Sequence, residues 1–315
     1  MKAIRTALLA FFFTTTISFL WAYDLYLPDQ VEQGNVLRAI VYPAGNAQEV
    51  SLELLTPEGK RAVAAHGFLV RTVRDVSTWV VLAGVPSTAQ SGTYAVHLSV
   101  TDSSEVVELN GSVEVAPRSF VHEDIALNDS MSTLRSEQNA RKAREARELA
   151  NLLAQFDPEA VYQEGSYEIP VPQARESAFF GDRRRYLYAQ GGSAGGIHFG
   201  LDLAVPTGTE VAAGAPGKVV FASRRLLTGN TIVVENLPGV FSLYYHLHSI
   251  RVSPGTLVHP DTVIGTVGAT GLVTGPHLHW EIRASEVPVE PKSLLDRRLV
   301  DRHEIFRIIM QEPEG

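Results

Sequence analysis

Residues 275–283, Gly-Pro-His-Leu-His-Trp-Glu-Ile-Arg, alternate strictly between polar and apolar side chains from His277 onward. Successive side chains of a β-strand point to opposite faces, so this period of two predicts a strand with one polar and one apolar face. His277 and His279 share the polar face, and their backbones lie roughly 6.6 Å apart on an extended strand. Both rings can serve one metal centre, although a His-x-His pattern also arises by chance in half-buried strands.

The composition restricts the kind of metal site that is possible. The chain of 315 residues is 45% apolar and 20% charged, which is typical of a soluble globular protein of two domains. It contains no cysteine, which excludes a disulfide scaffold, a cysteine nucleophile and a thiolate metal site. Any metal must therefore be held by nitrogen and oxygen ligands. The net charge of −8 is concentrated in the front half, and no feature indicates nucleic-acid binding.

Residues 1–22 have the pattern of an export signal. Lys2 and Arg5 precede an apolar run, which predicts a signal peptide cleaved after Ala22. Leu20, three positions before the end of this segment, departs from the small-residue rule, so an uncleaved membrane anchor is the alternative. We expect the rest of the chain to be exported to the periplasm or cell envelope, with membrane contact only if this segment is retained.

Residues 23–118 consist of short alternating segments separated by turn residues. Asn110-Gly111 suits a tight hairpin turn, and Ser91-Gly92-Thr93-Tyr94 resembles a tyrosine corner. These features predict an immunoglobulin-like β-sandwich without its disulfide. His66 and His97 stand alone in this segment, and we expect no chemistry there.

Residues 119–174 are predicted to form a helical connector and linker. Between residues 129 and 156, leucines recur with helical spacing and opposite charges lie one turn apart, until Asp157-Pro158 ends the helix. The segment is mostly polar, which favours a solvated connector; the alternative is a lid or a partner-docking arm over the second domain. Residues 164–174 contain two prolines and predict an extended linker. A regulatory partner would bind through this helix or through the N-terminal domain.

Residues 175–292 contain short strands punctuated by glycine and no run of helical periodicity, which predicts an all-β domain with an antiparallel sheet. Helical spacing returns in residues 293–315, the predicted C-terminal helical tail. Six of the ten histidines fall between residues 198 and 279. His198 and Asp202 share one face of an alternating segment, and Gly200 between them allows the bend that shared ligation requires.

His198, Asp202 and His279 together offer two nitrogens and one oxygen to a metal ion. This set suits Zn²⁺ and leaves a fourth tetrahedral position for water, as in an open, catalytic type of site.

Three motifs in this region resemble those of the LytM/lysostaphin-type zinc metallopeptidases. They are His198-x-x-x-Asp202, Tyr245-His246-Leu247 and Gly275-Pro-His277-Leu-His279-Trp-Glu281, with a Gly-Thr-x-Val run at residues 208–211. The resemblance covers residues 177–292. It implies that His198, Asp202 and His279 bind zinc, that His277 is the general base, and that His246 supports the water or the tetrahedral intermediate. It also implies peptidoglycan peptide cross-links as the substrate.

Three further details accompany the resemblance. Tyr186 and Tyr188 are equivalent candidates for the tyrosine that often assists such sites. His248 stands where the family commonly has a small residue; we expect it to be exposed, the alternatives being a perturbed site or a second metal. Glu281 and Arg283 share the active face and are expected to pair or to orient a ligand.

The sequence thus predicts a secreted zinc metalloendopeptidase that hydrolyses peptidoglycan cross-links. The alternative is a non-catalytic LytM-like regulator or scaffold that binds peptidoglycan or activates another cell-wall hydrolase. Relatives of that second kind characteristically lose metal ligands. This sequence keeps all three ligands and both accessory histidines, which favours the enzyme.

Overall fold

The structure is a computed structural model that describes residues 2–5, 23–103 and 105–310, the first of these ranges by its backbone alone. The predicted signal or anchor, residues 1–22, otherwise lies outside the described residues. Within the described part, no helix is long and apolar enough to cross a membrane. The chain forms two compact units: the first comprises Met1–Pro117 and Val300–Gly315, and the second comprises Arg118–Leu299. The helices are α1 (Asp129–Ser136), α2 (Ala140–Leu153) and α3 (Arg302–Met310), with a 3-10 helix at Pro291–Leu294.

The first unit is a β structure joined by α3. Its strands are β1 (Lys2–Arg5), β2 (Asp24–Leu27), β3 (Gln30–Glu32), β4 (Val36–Tyr42), β5 (Glu49–Leu55), β6 (Arg61–Arg71), β7 (Ser77–Gly84), β8 (Gly92–Thr101) and β9 (Val106–Ala116). They pair in the order β1-β2-β4-β7-β6-β5-β8-β9-β3. Alternate residues of β5 and β8, among them Val50, Leu52 and Leu98, are fully buried, as their period of two predicts.

The C-terminal helix α3 belongs to this first unit. Glu304 forms an ion pair of 2.8 Å with Arg38 of β4, and the guanidinium of Arg74 lies 5.3 Å from the ring centroid of Phe306. Ile305 is fully buried. The helical spacing predicted in the tail is thus present, and its apolar side packs within the unit.

The second unit is built around one large antiparallel sheet. Its strands are β10 (His122–Ala126), β11 (Arg175–Ala178), β12 (Arg183–Leu187), β13 (Ser193–Ile197), β14 (Gly200–Ala204), β15 (Glu210–Ala212), β16 (Gly217–Arg225), β17 (Gly229–Leu237), β18 (Val240–Leu247), β19 (Ser249–Ile250), β20 (Leu257–Val258), β21 (Val263–Thr266), β22 (His277–Ala284) and β23 (Val287–Val289). The sheet order is β11-β14-β22-β18-β17-β16-β20, with β23 beside β22, and the pairs are antiparallel as predicted. Two smaller sheets have the orders β10-β12-β13 and β15-β21-β19.

The segment predicted as one helix forms two. The side chain of Asn128 caps α1, and that of Asn139 accepts hydrogen bonds from the first backbone amides of α2, so the helix restarts there. The Nζ atom of Lys142 donates to the carbonyl oxygen of Leu134 at 2.9 Å, which satisfies an open carbonyl at the end of α1. Local capping by Asn139 therefore outweighs the continuous charge pattern.

Helices α1 and α2 (residues 129–153) form an arm, and α2 packs on the large sheet along one side. Leu153 is buried in a cluster with Val233, Phe241, Leu243 and Tyr245 of the large sheet, and the two preceding leucines of the helical stripe pack against it. The mostly polar helix thus buries a narrow apolar stripe on the sheet of its own unit. This corresponds to the alternative interpretation, an arm over the second domain.

The predicted linker is extended but firmly packed. Tyr167 and Val171 are buried. The backbone amide of Tyr167 donates to Leu294 at 2.9 Å, that of Glu168 donates to Gly214 at 2.7 Å, and Pro170 accepts from the sheet as well. The two prolines keep the segment extended, and these three hydrogen bonds tie it to the 3-10 helix, to the loop after β15 and to β15 itself. The segment is thus extended and also packed within the second unit.

Candidate metal centre

His198, Asp202 and His279 direct one ligand atom each to a common point. The Nε2 atom of His198, the Oδ1 atom of Asp202 and the Nδ1 atom of His279 lie 2.9 Å from one another, and all three side chains are buried. Pairing of β14 with β22 places Asp202 opposite His279. His198 lies in the short link between β13 and β14, where its backbone bonds to Asp182 and Gly181.

The outer nitrogens of the two histidines are also held in place. The Nδ1 atom of His198 lies 2.8 Å from the carbonyl oxygen of Phe179, and the Nε2 atom of His279 lies 3.4 Å from the Glu281 carboxylate. Because these oxygens only accept, the ring protons belong on the outer nitrogens. The inner nitrogens and the carboxylate then present three lone pairs to one another. A metal cation stabilises such an arrangement, and two nitrogens with one oxygen fit zinc.

Gly200 allows the two strands of the site to approach closely. A Cβ atom at this position would lie 2.3 Å from the carbonyl oxygen of Trp280 and 2.8 Å from the Nε2 atom of His279. The structure therefore gives Gly200 a packing role. The sequence argument had assigned it a bend in the chain.

Two further histidines face the ligand group. The Nε2 atom of His277 lies 3.7 Å from the Oδ1 atom of Asp202, and the ring centroids of His277 and His246 are 5.0 Å apart. The Nδ1 atom of His277 donates to the carbonyl oxygen of Gly275, and that of His246 to the carbonyl oxygen of Thr270, each at 2.9 Å. In neutral rings these bonds leave a lone pair on Nε2, so both rings present an acceptor.

The backbone of His246 is strained. Its φ of 62° lies in the left-handed region, which non-glycine residues rarely occupy. The backbone amide donates to Thr228 at 2.8 Å, and the ring is fixed by Thr270. Such strain persists where the surrounding contacts determine the conformation, and it clusters at functional sites.

The electrostatics of the cluster favour an added cation. Burial lowers the pKa of His198, and burial followed by the neighbouring histidines lowers the pKa of His246 to about 3. Burial opposes ionisation of Asp202, but the adjoining rings of His198 and His279 hold its pKa well below its usual range. Burial also opposes charge on His279, yet the neighbouring carboxylates of Asp202 and Glu281 raise its pKa to about 9. The two carboxylates therefore attract positive charge to the point where the ligand atoms meet.

Residues 196–291 match the family model of "Peptidase family M23". The chain contains a peptidase family M23 domain. The predicted LytM/lysostaphin-type resemblance is thereby confirmed, and the match contains all five of the histidine and aspartate residues placed in the site above.

The sequence similarity to curated relatives is limited to part of each protein. The "DD-carboxypeptidase/endopeptidase Mpg" of Neisseria meningitidis serogroup B is 37% identical over 139 residues, which are 44% of this chain and 31% of that protein. The "Peptidoglycan DD-endopeptidase ShyB" of Vibrio cholerae serotype O1 is 39% identical over 93 residues, 30% of this chain and 22% of that protein. The aligned part thus spans less than a third of either relative.

One similar solved structure extends beyond the M23 domain. A crystal structure from Pseudomonas aeruginosa, named for peptidase M23, superposes with a TM-score of 0.58 at 25% identity. The match covers 84% of this chain and 93% of that chain. The likeness therefore includes much of the chain outside residues 196–291.

The structure distinguishes between several residues that the sequence left open. Tyr186 lines the cavities beside the ligand group, whereas Tyr188 lies in the turn between β12 and β13. His248 is exposed, as expected. Glu281 and Arg283 pair at 2.5 Å, and Glu281 also faces a ligand histidine, so both expected roles are combined.

Two contacts of the M23 domain were missed in the sequence. The Nη2 atom of Arg184 lies 3.2 Å from the Oδ2 atom of Asp202, and its Nε atom bonds to Glu123 of β10 at 2.6 Å. The ring of Tyr245 stacks on that of His279, with 5.2 Å between centroids and 3° between planes. Arg184 belongs to a run of three arginines without a distinguishing signal. Tyr245 was named only as part of a motif.

Proposed function

We propose that this chain is an exported zinc metalloendopeptidase of the cell envelope that hydrolyses the peptide cross-links of peptidoglycan. The observation that carries the proposal is the convergence of three metal-ligand atoms with two histidine acceptors in one M23 domain. The printed names of two relatives, a DD-carboxypeptidase/endopeptidase and a peptidoglycan DD-endopeptidase, support the substrate class.

Zinc is the metal that we infer for the site. His198, Asp202 and His279 would hold it, with Arg184 and Glu281 orienting two of these ligands. A zinc ion bound there would act as a Lewis acid and would lower the pKa of its bound water to about 7.

His277 is the general base in this proposal. Its Nδ1–H bond to the carbonyl oxygen of Gly275 leaves the Nε2 lone pair facing Asp202 at 3.7 Å, next to the ligand group. Nε2 can take a proton from the attacking water and transfer it to the leaving amine.

His246 supports the attacking water rather than the tetrahedral intermediate. Its Nδ1–H bond to Thr270 and its low pKa favour a neutral ring with an acceptor at Nε2. A neutral ring held in this tautomer cannot donate to an oxyanion, but it can orient a water by accepting a hydrogen bond.

The rival function, a non-catalytic regulator or scaffold, has less support. The three ligand atoms meet within hydrogen-bonding distance, and both accessory rings are fixed by backbone carbonyls. A domain that only binds a partner has no need for buried groups held in this way.

The first unit is proposed to be an immunoglobulin-like sandwich. The parallel pairing of β3 with β9, beside antiparallel pairing of β2 with β4, is consistent with a first strand shared between two sheets. Tyr94 is buried and forms a hydrogen bond with the backbone of Gln90, as in a tyrosine corner. A regulatory partner acting through this unit or through residues 129–156 remains a proposal; α2 would offer it only its polar side, because its leucines are packed.

The proposed function can be tested by digestion of purified peptidoglycan with the zinc-loaded chain. We expect cross-linked muropeptide dimers to become monomers by liquid chromatography and mass spectrometry. A chelator should stop the reaction, and added zinc should restore it. Intact cross-links, or cleavage of the glycan strand instead, would contradict the proposal.

A further inference from the structure

A cavity of about 580 Å³ adjoins the metal-ligand group. Its walls include His198, His246 and His279 on the sheet side. The arm contributes Arg135 of α1 together with several residues of α2. The arm therefore lines the space in which a substrate of the M23 domain would lie.

The carboxylates that line this cavity already have partners. Glu145 accepts hydrogen bonds from the Nε atom of Arg141 at 2.7 Å and from the backbone amide of Leu226 at 2.8 Å. Glu281 pairs with Arg283 and faces a ligand histidine. Both carboxylates are buried, so neither is available to neutralise another cation.

Two arginines, Arg135 and Arg225, also line the cavity. Among the described residues, neither Arg135 nor Arg225 forms an ion pair with a carboxylate within 4.0 Å. The Nη2 atom of Arg225 donates to the backbone carbonyl of Glu145 at 2.8 Å, which leaves its charge uncompensated. The Nε atom of Arg135 is buried and has no hydrogen-bond partner in the part of the chain that the structure describes.

Among the described residues, the side chain of Arg135 is positioned by stacking and not by a hydrogen bond. Its guanidinium carbon lies 3.6 Å from the ring centroid of Tyr186. Gly196 makes room for this stack, because a Cβ atom there would lie 2.8 Å from the Tyr186 ring and 3.3 Å from an Arg135 nitrogen. Stacking fixes the plane of the guanidinium, whose two terminal nitrogens can donate parallel hydrogen bonds to one carboxylate.

We propose that Arg135, with Arg225 as a second cation, forms a subsite for a free carboxylate of the peptide substrate. The inference rests on the proposed peptidase function and assigns a specificity to the same site. The chain carries a net charge of −8, yet this cavity holds uncompensated positive charge. Such a cavity attracts an anionic peptide and discriminates against its neutral amide.

The test uses two synthetic cross-link peptides that differ only in one group near the cleaved bond, a free carboxylate or a carboxamide. We expect the zinc-loaded chain to cleave the acid peptide with the higher kcat/KM. In Arg135→Gln, kcat/KM for the acid peptide should fall about 10- to 100-fold, with a change of less than about twofold for the amide. Arg135→Lys should give an intermediate kcat/KM for the acid peptide, because lysine keeps the charge but cannot donate two parallel hydrogen bonds in one plane.

Arg144→Gln is the matched control, since Arg144 of α2 is exposed and pairs with Glu148 outside the cavity. It should retain the preference of the unaltered chain. Zinc content and melting temperature of each variant show whether the substitution has disturbed the fold instead of the subsite.

Binding of uncleavable methylene analogues of the two peptides separates this inference from the proposed function. If no peptide is cleaved but the acid analogue binds more tightly and this depends on Arg135, the subsite stands and the peptidase proposal fails. If both peptides are cleaved or bound equally well, the subsite is wrong. An increase in kcat/KM for both peptides in Arg135→Gln would also overturn it, because Arg135 would then hold the arm closed.

Discussion

The two walls of the cavity are built in different ways. On the sheet side, the ligand atoms of His198, Asp202 and His279 lie 2.9 Å apart, and hydrogen bonds fix their outer atoms as well. On the arm side, α2 is attached by a stripe of leucines, and the Nε atom of Arg135 has no hydrogen-bond partner within the described part of the chain. The sheet thus carries the chemistry, and the arm presents a positioned cation to the cavity.

The largest effect should follow from damage to the sheet wall. Asp202→Asn keeps the shape of the side chain but removes the negative charge that the two ligand histidines share. We expect loss of bound zinc and a fall in kcat/KM of about 10³-fold or more. Metal content by mass spectrometry and cleavage of a cross-link peptide measure both. Retained zinc with full activity would show that the wall tolerates a neutral ligand in place of the carboxylate.

His277→Ala should separate proton transfer from metal binding within the same wall. The ring lies beside the ligand group but is not part of it. We expect kcat to fall about 10²- to 10⁴-fold while zinc remains bound. If the zinc is lost, His277 is a ligand, and its assignment as the base is wrong.

Within one strand the sheet wall was predictable, because the period of two places His277 and His279 on one face. The pairing that brings Asp202 opposite His279 joins residues 77 apart, and it was indicated by the donor set and the resemblance of the motifs rather than by a local pattern. The Gly-punctuated strands of the M23 domain and their antiparallel pairing were confirmed.

The arm wall was not predictable to the same degree. The charge pattern of residues 129–156 is continuous, and only the cap at Asn139 divides it into two helices. No local signal pairs β10 with β12 or brings Glu123 to Arg184, since these contacts join residues 61 apart. The position of the arm over the sheet depends on tertiary packing, which periodicity does not reveal.

Leu153→Ala tests the attachment of the arm. Leu153 is 2% exposed within the sheet cluster, so truncation leaves a cavity and should lower the free energy of unfolding by about 2–4 kcal/mol. Urea denaturation measures the change, with Glu148→Ala on the exposed side of α2 as a control expected to stay within about 0.5 kcal/mol. Zinc content should not change. Since Tyr245 touches both this cluster and His279, a loss of zinc would show that the two walls are coupled.

The smallest effect should come from removing the side-chain cap at the start of α2. Asn139→Ala removes the side chain that accepts from the amides of Arg141 and Lys142, at a cost of about 1 kcal/mol. Hydrogen exchange should show weaker protection at the start of α2 and unchanged protection in β14 and β22. The cap of α1 provides the comparison, because Asn128→Ala should loosen the helix that carries Arg135 instead. If either substitution also reduces protection around His279, the arm supports the metal centre directly, and the two walls do not have separate roles.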